Sequence, residues 1–134
     1  STLMRSSAAS DVYKRQDPIY ANVSDRLNAA YMGYGVGINK YTGSGGKYEA
    51  SDANAEYLAK IRNAMDAQSV AYQFAELGKV DVGGGGTIAY IMSLYGMEVI
   101  DCGVAILNMH APWEVASKAD VYEAKKCYEA FLKN

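Results

Sequence analysis

The chain holds one histidine, and it stands in V-I-D-C-G-V-A-I-L-N-M-H-A-P-W-E, residues 99–114, where an apolar, strand-like run gives way to Ala-Pro. An imidazole there can ligate a metal, move a proton or hydrogen-bond to nearby backbone. A lone histidine is more often a hydrogen-bonded structural residue than a ligand, but open α/β sheets collect their sites just beyond strand ends, which adds weight to metal ligation. A catalytic zinc needs about three protein ligands, and no H-x-x-x-H or H-x-x-E partner accompanies His110. If His110 binds metal, the other ligands lie outside this chain. A structural histidine with both ring nitrogens satisfied locally is the alternative. The second feature is G-G-G-G-T, residues 83–87. Glycines ahead of a helix let backbone N–H groups approach a ligand, and the helix start favours negative charge. The run matches neither G-x-G-x-x-G nor the Walker pattern, so it reads equally as a binding loop or as a tight turn. Cys102 and Cys127 have no metal spacing and read as buried thiols, one in a strand and one on a helix.

The elements that must position these groups alternate between strand and helix. G-V-G-I-N-K-Y, residues 35–41, has period two and reads as a strand, followed by T-G-S-G-G-K as a loop. Ser51 or Asp52 then caps a helix whose Tyr57, Leu58, Ile61, Ala64 and Met65 recur at helical spacing and which ends near Gln68. Val70, Tyr72 and Phe74 alternate as a second strand. Behind the glycine run, Ile88, Ile91 and Leu94 predict a short helix that Gly96 ends. The run 97–107 supplies one or two buried strands. Ser117-Lys118-Ala119-Asp120 resembles a capping box, and Val121, Ala124, Tyr128 and Phe131 form the apolar stripe of a closing helix. The fold class is α/β: a layered domain with a mixed, largely parallel sheet flanked by helices.

Thirteen basic and fifteen acidic side chains give a net charge of −2 without a block of one sign, which argues against a nucleic-acid or membrane partner. No apolar run reaches a membrane span or a secretory signal, so a soluble, cytoplasmic protein is expected. Ser6 to Gln16, S-S-A-A-S-D-V-Y-K-R-Q, resembles the translation of a transposon adaptor used in sequencing libraries. Residues 1–16 are therefore set aside as a non-native leader, with 17–134 as the C-terminal portion of something longer.

At this point a family emerges. E-L-G-K-V-D-V-G-G-G-G-T-I-A (76–89), V-I-D-C-G-V (99–104), M-H-A-P-W-E (109–114) and S-K-A-D-V-Y-E-A (117–124) resemble the C-terminal part of the aspartyl-aminopeptidase family of dinuclear zinc exopeptidases, in its bacterial branch. K-Y-T-G-S-G-G-K (40–47) and D-A-N-A-E-Y (52–57) fit it too. The resemblance implies a metallopeptidase catalytic domain with two zinc ions, peptide substrates with acidic N-terminal residues, and a tetrahedral, dodecameric homo-oligomer. It implies that His110 is the last metal ligand, with Asn108 where serine is usual and Ala105 where proline is usual. The other ligands and the general-base glutamate would precede Asp17, which leaves this chain inactive by itself. Asp11 falls near the spacing of a metal-bridging aspartate; its place in the adaptor-like stretch favours an accident of sequence over a native ligand, and it is not counted among the ligands here.

The same resemblance puts the backbone of Gly84, Gly85, Gly86 and Thr87 beside the substrate. It matches Lys40 to a position that can meet an acidic substrate side chain, an exposed strand lysine being the alternative. Met109 either lines the specificity pocket or packs. A non-catalytic assembly or anion-binding module built on the glycine loop is the competing reading. Both His110 and the glycine loop follow strands, so a shared peptidase site predicts them at one end of the sheet, with the His110 ring partly exposed.

Overall fold

The computed structural model describes residues 6–9, 13–14, 25, 27–44, 48–76 and 89–133. Its elements run β1 Ser6–Ala9, β2 Tyr13–Lys14, β3 Val36–Asn39, β4 Tyr41–Ser44, β5 Tyr48–Asp52, α1 Ala55–Ala67, β6 Tyr72–Phe74, α2 Ala89–Ser93, β7 Val99–Gly103, β8 Ala105–Leu107, β9 Val115–Ala116 and α3 Lys118–Lys133. A four-stranded sheet has the order β1-β7-β3-β6, a three-stranded one β2-β8-β9, and β4 pairs with β5. The sheet is mixed. β1 runs parallel to β7 with Ser6 opposite Val99, and β3 runs parallel to β6, but β3 and β7 are antiparallel, with Ile38 opposite Cys102 and Asn39 opposite Asp101. Residues 6–9 and 13–14 of the stretch set aside as a leader thus pair with β7 and β8.

Period-two alternation explains the core. Val36, Ile38, Ile100 and Cys102 turn to one face and pack with Tyr57, Met65, Cys127 and Ala130 of α1 and α3, which also touch each other. The alternate residues Asn39 and Asp101 are buried as well, so β3 and β7 read as near-continuous buried strands. The two cysteines sit where the sequence puts them, one in β7 and one on α3, both buried and free. Cys127 Sγ lies 3.6 Å from Met65 Sδ. A hydrogen bond with Cys127, together with burial, pushes the Cys102 thiol up, which keeps it protonated and inert.

Several local expectations are corrected. Of the segment expected as a loop, residues 42–44 belong to a strand and residues 45–47 lie outside the described residues: Tyr41–Ser44 and Tyr48–Asp52 pair as a hairpin, and the Ala53 N–H extends it by donating to Lys40 O at 2.8 Å. Serine and glycine carry little strand propensity, which hides it. Because Ser51 and Asp52 belong to β5, the cap of α1 passes to Asn54, whose Oδ1 accepts from Tyr57 N at 2.7 Å. The helix ends at Gln68 as expected. α2 is five residues long; Ile91 is exposed on it, Leu94 is exposed just past its end, and Ile88 lies outside the described residues. Gly96, at φ +70°, closes the turn behind it. On α3, Val121 is 53% exposed, while Ala124 and Tyr128 of the expected stripe pack against the core beside the buried Cys127 and Ala130.

Asp120 also departs from the capping-box expectation. Ser117 Oγ accepts from Asp120 N at 3.4 Å, but the Asp120 carboxylate does not return to its own helix start. It accepts from Gly33 N at 2.6 Å and Gly35 N at 2.9 Å, and is only 1% exposed. One carboxylate therefore fastens α3 to the chain entering β3.

Candidate functional site

β8 and β9 pair antiparallel, with Leu107 opposite Val115 and Ile106 opposite Ala116. Residues 108–114 are thus a hairpin loop, and His110 sits within it, exposed, rather than directly at a strand end. The loop is tightly wound. Asn108 has φ +57° and His110 φ +65°, both in the left-handed region that side chains with a Cβ disfavour. Two hydrogen bonds hold it: Ala111 N donates to Asn108 O at 3.0 Å, and His110 N donates to Glu114 Oε1 at 2.6 Å. Pro112 fixes a further φ between them. Asn108 suits its position, since asparagine tolerates the left-handed region better than most residues. Met109 is half-buried between the two left-handed residues, and Trp113 projects at 84% exposure.

A second polar group lies at the carboxyl end of β3. Lys40, exposed at the bend between β3 and β4, forms an ion pair with Asp52 across the hairpin. Glu76, just past β6, anchors its backbone by donating to Asn28 O at 2.7 Å. Burial, reinforced by Asp52 and opposed by Lys40, pushes the Glu76 carboxyl up to about 7. The two groups relate through strand polarity. β6 and β7 run in opposite directions, both being paired to β3, so their carboxyl ends lie at opposite ends of the four-stranded sheet. His110 follows β8 of the three-stranded sheet, and the glycine run, residues 83–87, lies outside the described residues, so the expectation that the two share one end of the sheet falls outside them too. Ala30, Ala75 and Ala105 form a small buried cluster that joins the exit of β6 to the start of β8.

Gly83, Gly84, Gly85, Gly86 and Thr87 lie outside the described residues, as does Asp11. Among the described residues, no three His, Cys, Asp or Glu side chains converge as a metal-binding group, and no helix is long and apolar enough to cross a membrane. His110 can supply one neutral nitrogen donor of the kind zinc prefers, and the rest of a site must come from elsewhere. Sequence reasoning missed Glu114 as the acceptor of the His110 amide and Asp120 as the acceptor of the Gly33 and Gly35 amides. The first was legible only as an acid four residues after the histidine, the second only as a cap.

The comparisons with known proteins bear on this arrangement. A family model described as aminopeptidase I zinc metalloprotease (M18) matches residues 3–132. A probable M18 family aminopeptidase 1 of Clostridium acetobutylicum is 61% identical over 126 residues, 94% of this chain and 27% of that protein. The crystal structure of aminopeptidase I from the same organism superposes with a TM-score of 0.87 at 60% identity, covering 96% of this chain and 28% of that one. The Thermotoga maritima M18 structure gives 0.85 at 48% identity, over 91% of this chain and 27% of that one. The chain spans about a quarter of the length of the relatives it matches. With the family model covering nearly all of its length, the chain belongs to the M18 family of aminopeptidase I zinc metalloproteases.

Proposed function

We propose that the intact protein is a cytoplasmic, zinc-dependent aminopeptidase that removes acidic N-terminal residues from peptides, and that His110 is one of its metal ligands. The observation that carries this reading is the match of residues 3–132 to a zinc metalloprotease family. The one imidazole of the chain, exposed on a tightly wound hairpin loop, supports the assignment within that family. Zinc, when bound, polarises the scissile carbonyl and lowers the pKa of its water to about 7. In this chain, the His110 imidazole would supply one neutral nitrogen donor, held by the loop 108–114. Two ions, with the remaining ligands and the general base supplied from outside these residues, complete the reading.

The backbone of Gly84, Gly85, Gly86 and Thr87 would border the peptide, where a Cβ would block close approach. Lys40 would meet an acidic side chain of the substrate, releasing Asp52 in exchange, and Met109 would line the pocket beside His110. Assembly as a tetrahedral homo-oligomer belongs to the same proposal. A Saccharomyces cerevisiae protein that shares this fold at a TM-score of 0.71 and 20% identity is a dodecamer. The division of the chain at Asp17 is likewise proposed, on the adaptor-like sequence of Ser6 to Gln16 alone, a stretch that the family match from residue 3 overlaps. Sequencing the source locus tests it, since an uninterrupted native frame encoding residues 1–16 would overturn the division.

The activity is tested on the intact protein expressed from that locus, with peptides bearing N-terminal Asp, Glu or Leu. Turnover should favour the acidic peptides, cease on chelation and return with zinc. His110→Ala should lower kcat/KM by at least about 100-fold, the scale expected when a metal-site group is lost. Activity unchanged in His110→Ala would remove the ligand assignment. Chelator-resistant turnover would remove the metal-dependent mechanism.

A further inference from the structure

We propose that Glu114 is a positioning residue for His110. Its carboxylate accepts the His110 N–H and so holds the left-handed backbone that sets the direction of the imidazole. This deepens the metal-ligand reading of His110 and rests on it.

The geometry separates this role from mere closure of the hairpin. Closure is already supplied by the β8–β9 pairing, with Leu107 opposite Val115, and by the bond from Ala111 N to Asn108 O. Glu114 stands next to Val115 on an exposed loop, where a carboxylate is fully satisfied by water at no cost. It instead turns inward and accepts from His110 N at 2.6 Å, a charge-assisted distance. The residue it reaches sits at φ +65°, in a region that costs a side chain roughly 1–2 kcal/mol to occupy. Such a conformation persists only where the surroundings over-determine it.

The direction of Cα–Cβ follows from φ. If His110 relaxed to an ordinary negative φ, the ring would swing away from its present line. A metal centre tolerates misplacement of only about 0.5 Å in its ligands, so holding the backbone is holding the donor. Glu114 acts on the amide of His110 and leaves both ring nitrogens untouched by that bond. It thus differs from the usual carboxylate partner of a ligating histidine, which binds the ring.

The experiment uses the 134-residue chain, in which a single histidine makes the ring signals unambiguous by NMR. Glu114→Ala removes the acceptor, and Glu114→Gln keeps a side-chain oxygen at the same position. Amide exchange at His110 should accelerate roughly tenfold in Glu114→Ala and stay within about twofold of wild type in Glu114→Gln. The HN–Hα coupling of His110, which reports φ, should leave its wild-type value in the alanine variant alone. Amides of β8 and β9 should exchange as in wild type in both.

Unchanged His110 exchange in Glu114→Ala overturns the proposal. So does acceleration of the β8 and β9 amides alongside it, which would make Glu114 a clasp of the hairpin. Failure of Glu114→Gln to restore protection also overturns it, since the role claimed is that of an acceptor at a fixed place. The underlying reading is tested separately on the intact protein: if its zinc content is the same in His110→Ala as in wild type, the ligand assignment fails, even where the exchange result establishes the Glu114 bond.

Discussion

Replacing Asp120 by alanine should unfasten the closing helix from the sheet, and the cost can be worked from the contacts. The carboxylate is 1% exposed and accepts two backbone donors, Gly33 N at 2.6 Å and Gly35 N at 2.9 Å. A hydrogen bond to a charged group contributes about 1.5–3 kcal/mol, and removing the acceptor leaves the buried Gly35 N–H unsatisfied. The carboxylate also sits in the first turn of α3, where the helix dipole favours negative charge by a few tenths of a kcal/mol. Together these predict a loss of about 3–5 kcal/mol, or a fall in Tm of roughly 12–20 °C for a chain of this length. Asp120→Asn keeps one acceptor oxygen and should lose about half as much. The assay is urea unfolding followed by far-UV circular dichroism at one fixed protein concentration, because any association adds stability by mass action. A cost below about 1 kcal/mol for Asp120→Ala would refute the reasoning, for it would mean that water replaces the carboxylate at both glycines.

Further outcomes are expected. Gly35→Ala should cost about 3 kcal/mol or more, since the new Cβ would lie 2.2 Å from Ala71 O, whereas Gly33→Ala, with the same φ of +89° but open space around it, should cost only about 1 kcal/mol; the same unfolding assay compares them. Glu76, held near 7 against an unfolded value of 4.5, binds its proton more tightly when folded. Its contribution is therefore full below about pH 4.5 and lost as pH rises through 7, so Glu76→Gln should match wild type at pH 4 and exceed it at pH 8 by about 1 kcal/mol after allowance for its solvent-exposed half. The 134-residue chain supplied with zinc should release no acidic residue from peptides, because a single donor makes no catalytic metal site; measurable turnover that a chelator abolishes would contradict this. At Asn108, φ +57°, glycine should be tolerated and alanine should cost about 1 kcal/mol, and equal stabilities would show that the left-handed turn is not strained.

Periodicity carried much of the fold. Tyr57, Ala64 and Met65 at helical spacing, and Val36 and Ile38 at period two, define faces that only one packing can bury, and the structure uses them so. Periodicity failed where burial was not the cause of structure. The β4–β5 hairpin, Y-T-G-S paired with Y-E-A-S-D, is mostly polar and is held by its ladder, so no run of alternating apolar residues marks it. Val121 and Leu94 continue an apolar stripe in the sequence yet are exposed among the described residues, because a stripe says only which face could be covered.

The site was legible in kind and not in arrangement, for a related reason. A lone histidine before Ala-Pro can be picked out by type, but the sign of φ at His110 and Asn108 leaves no trace in residue pattern beyond the choice of asparagine. Strand direction is equally silent. Alternating strands and helices suggest parallel crossovers, yet β7 enters from α2 antiparallel to β3, which sends the carboxyl ends of β6 and β7 to opposite ends of the sheet. The rule that gathers sites at carboxyl ends assumes one polarity. In a mixed sheet it must be applied strand by strand, and here that makes the approach to His110 depend on the hairpin after β8, where a glutamate four residues on takes up the histidine's own amide.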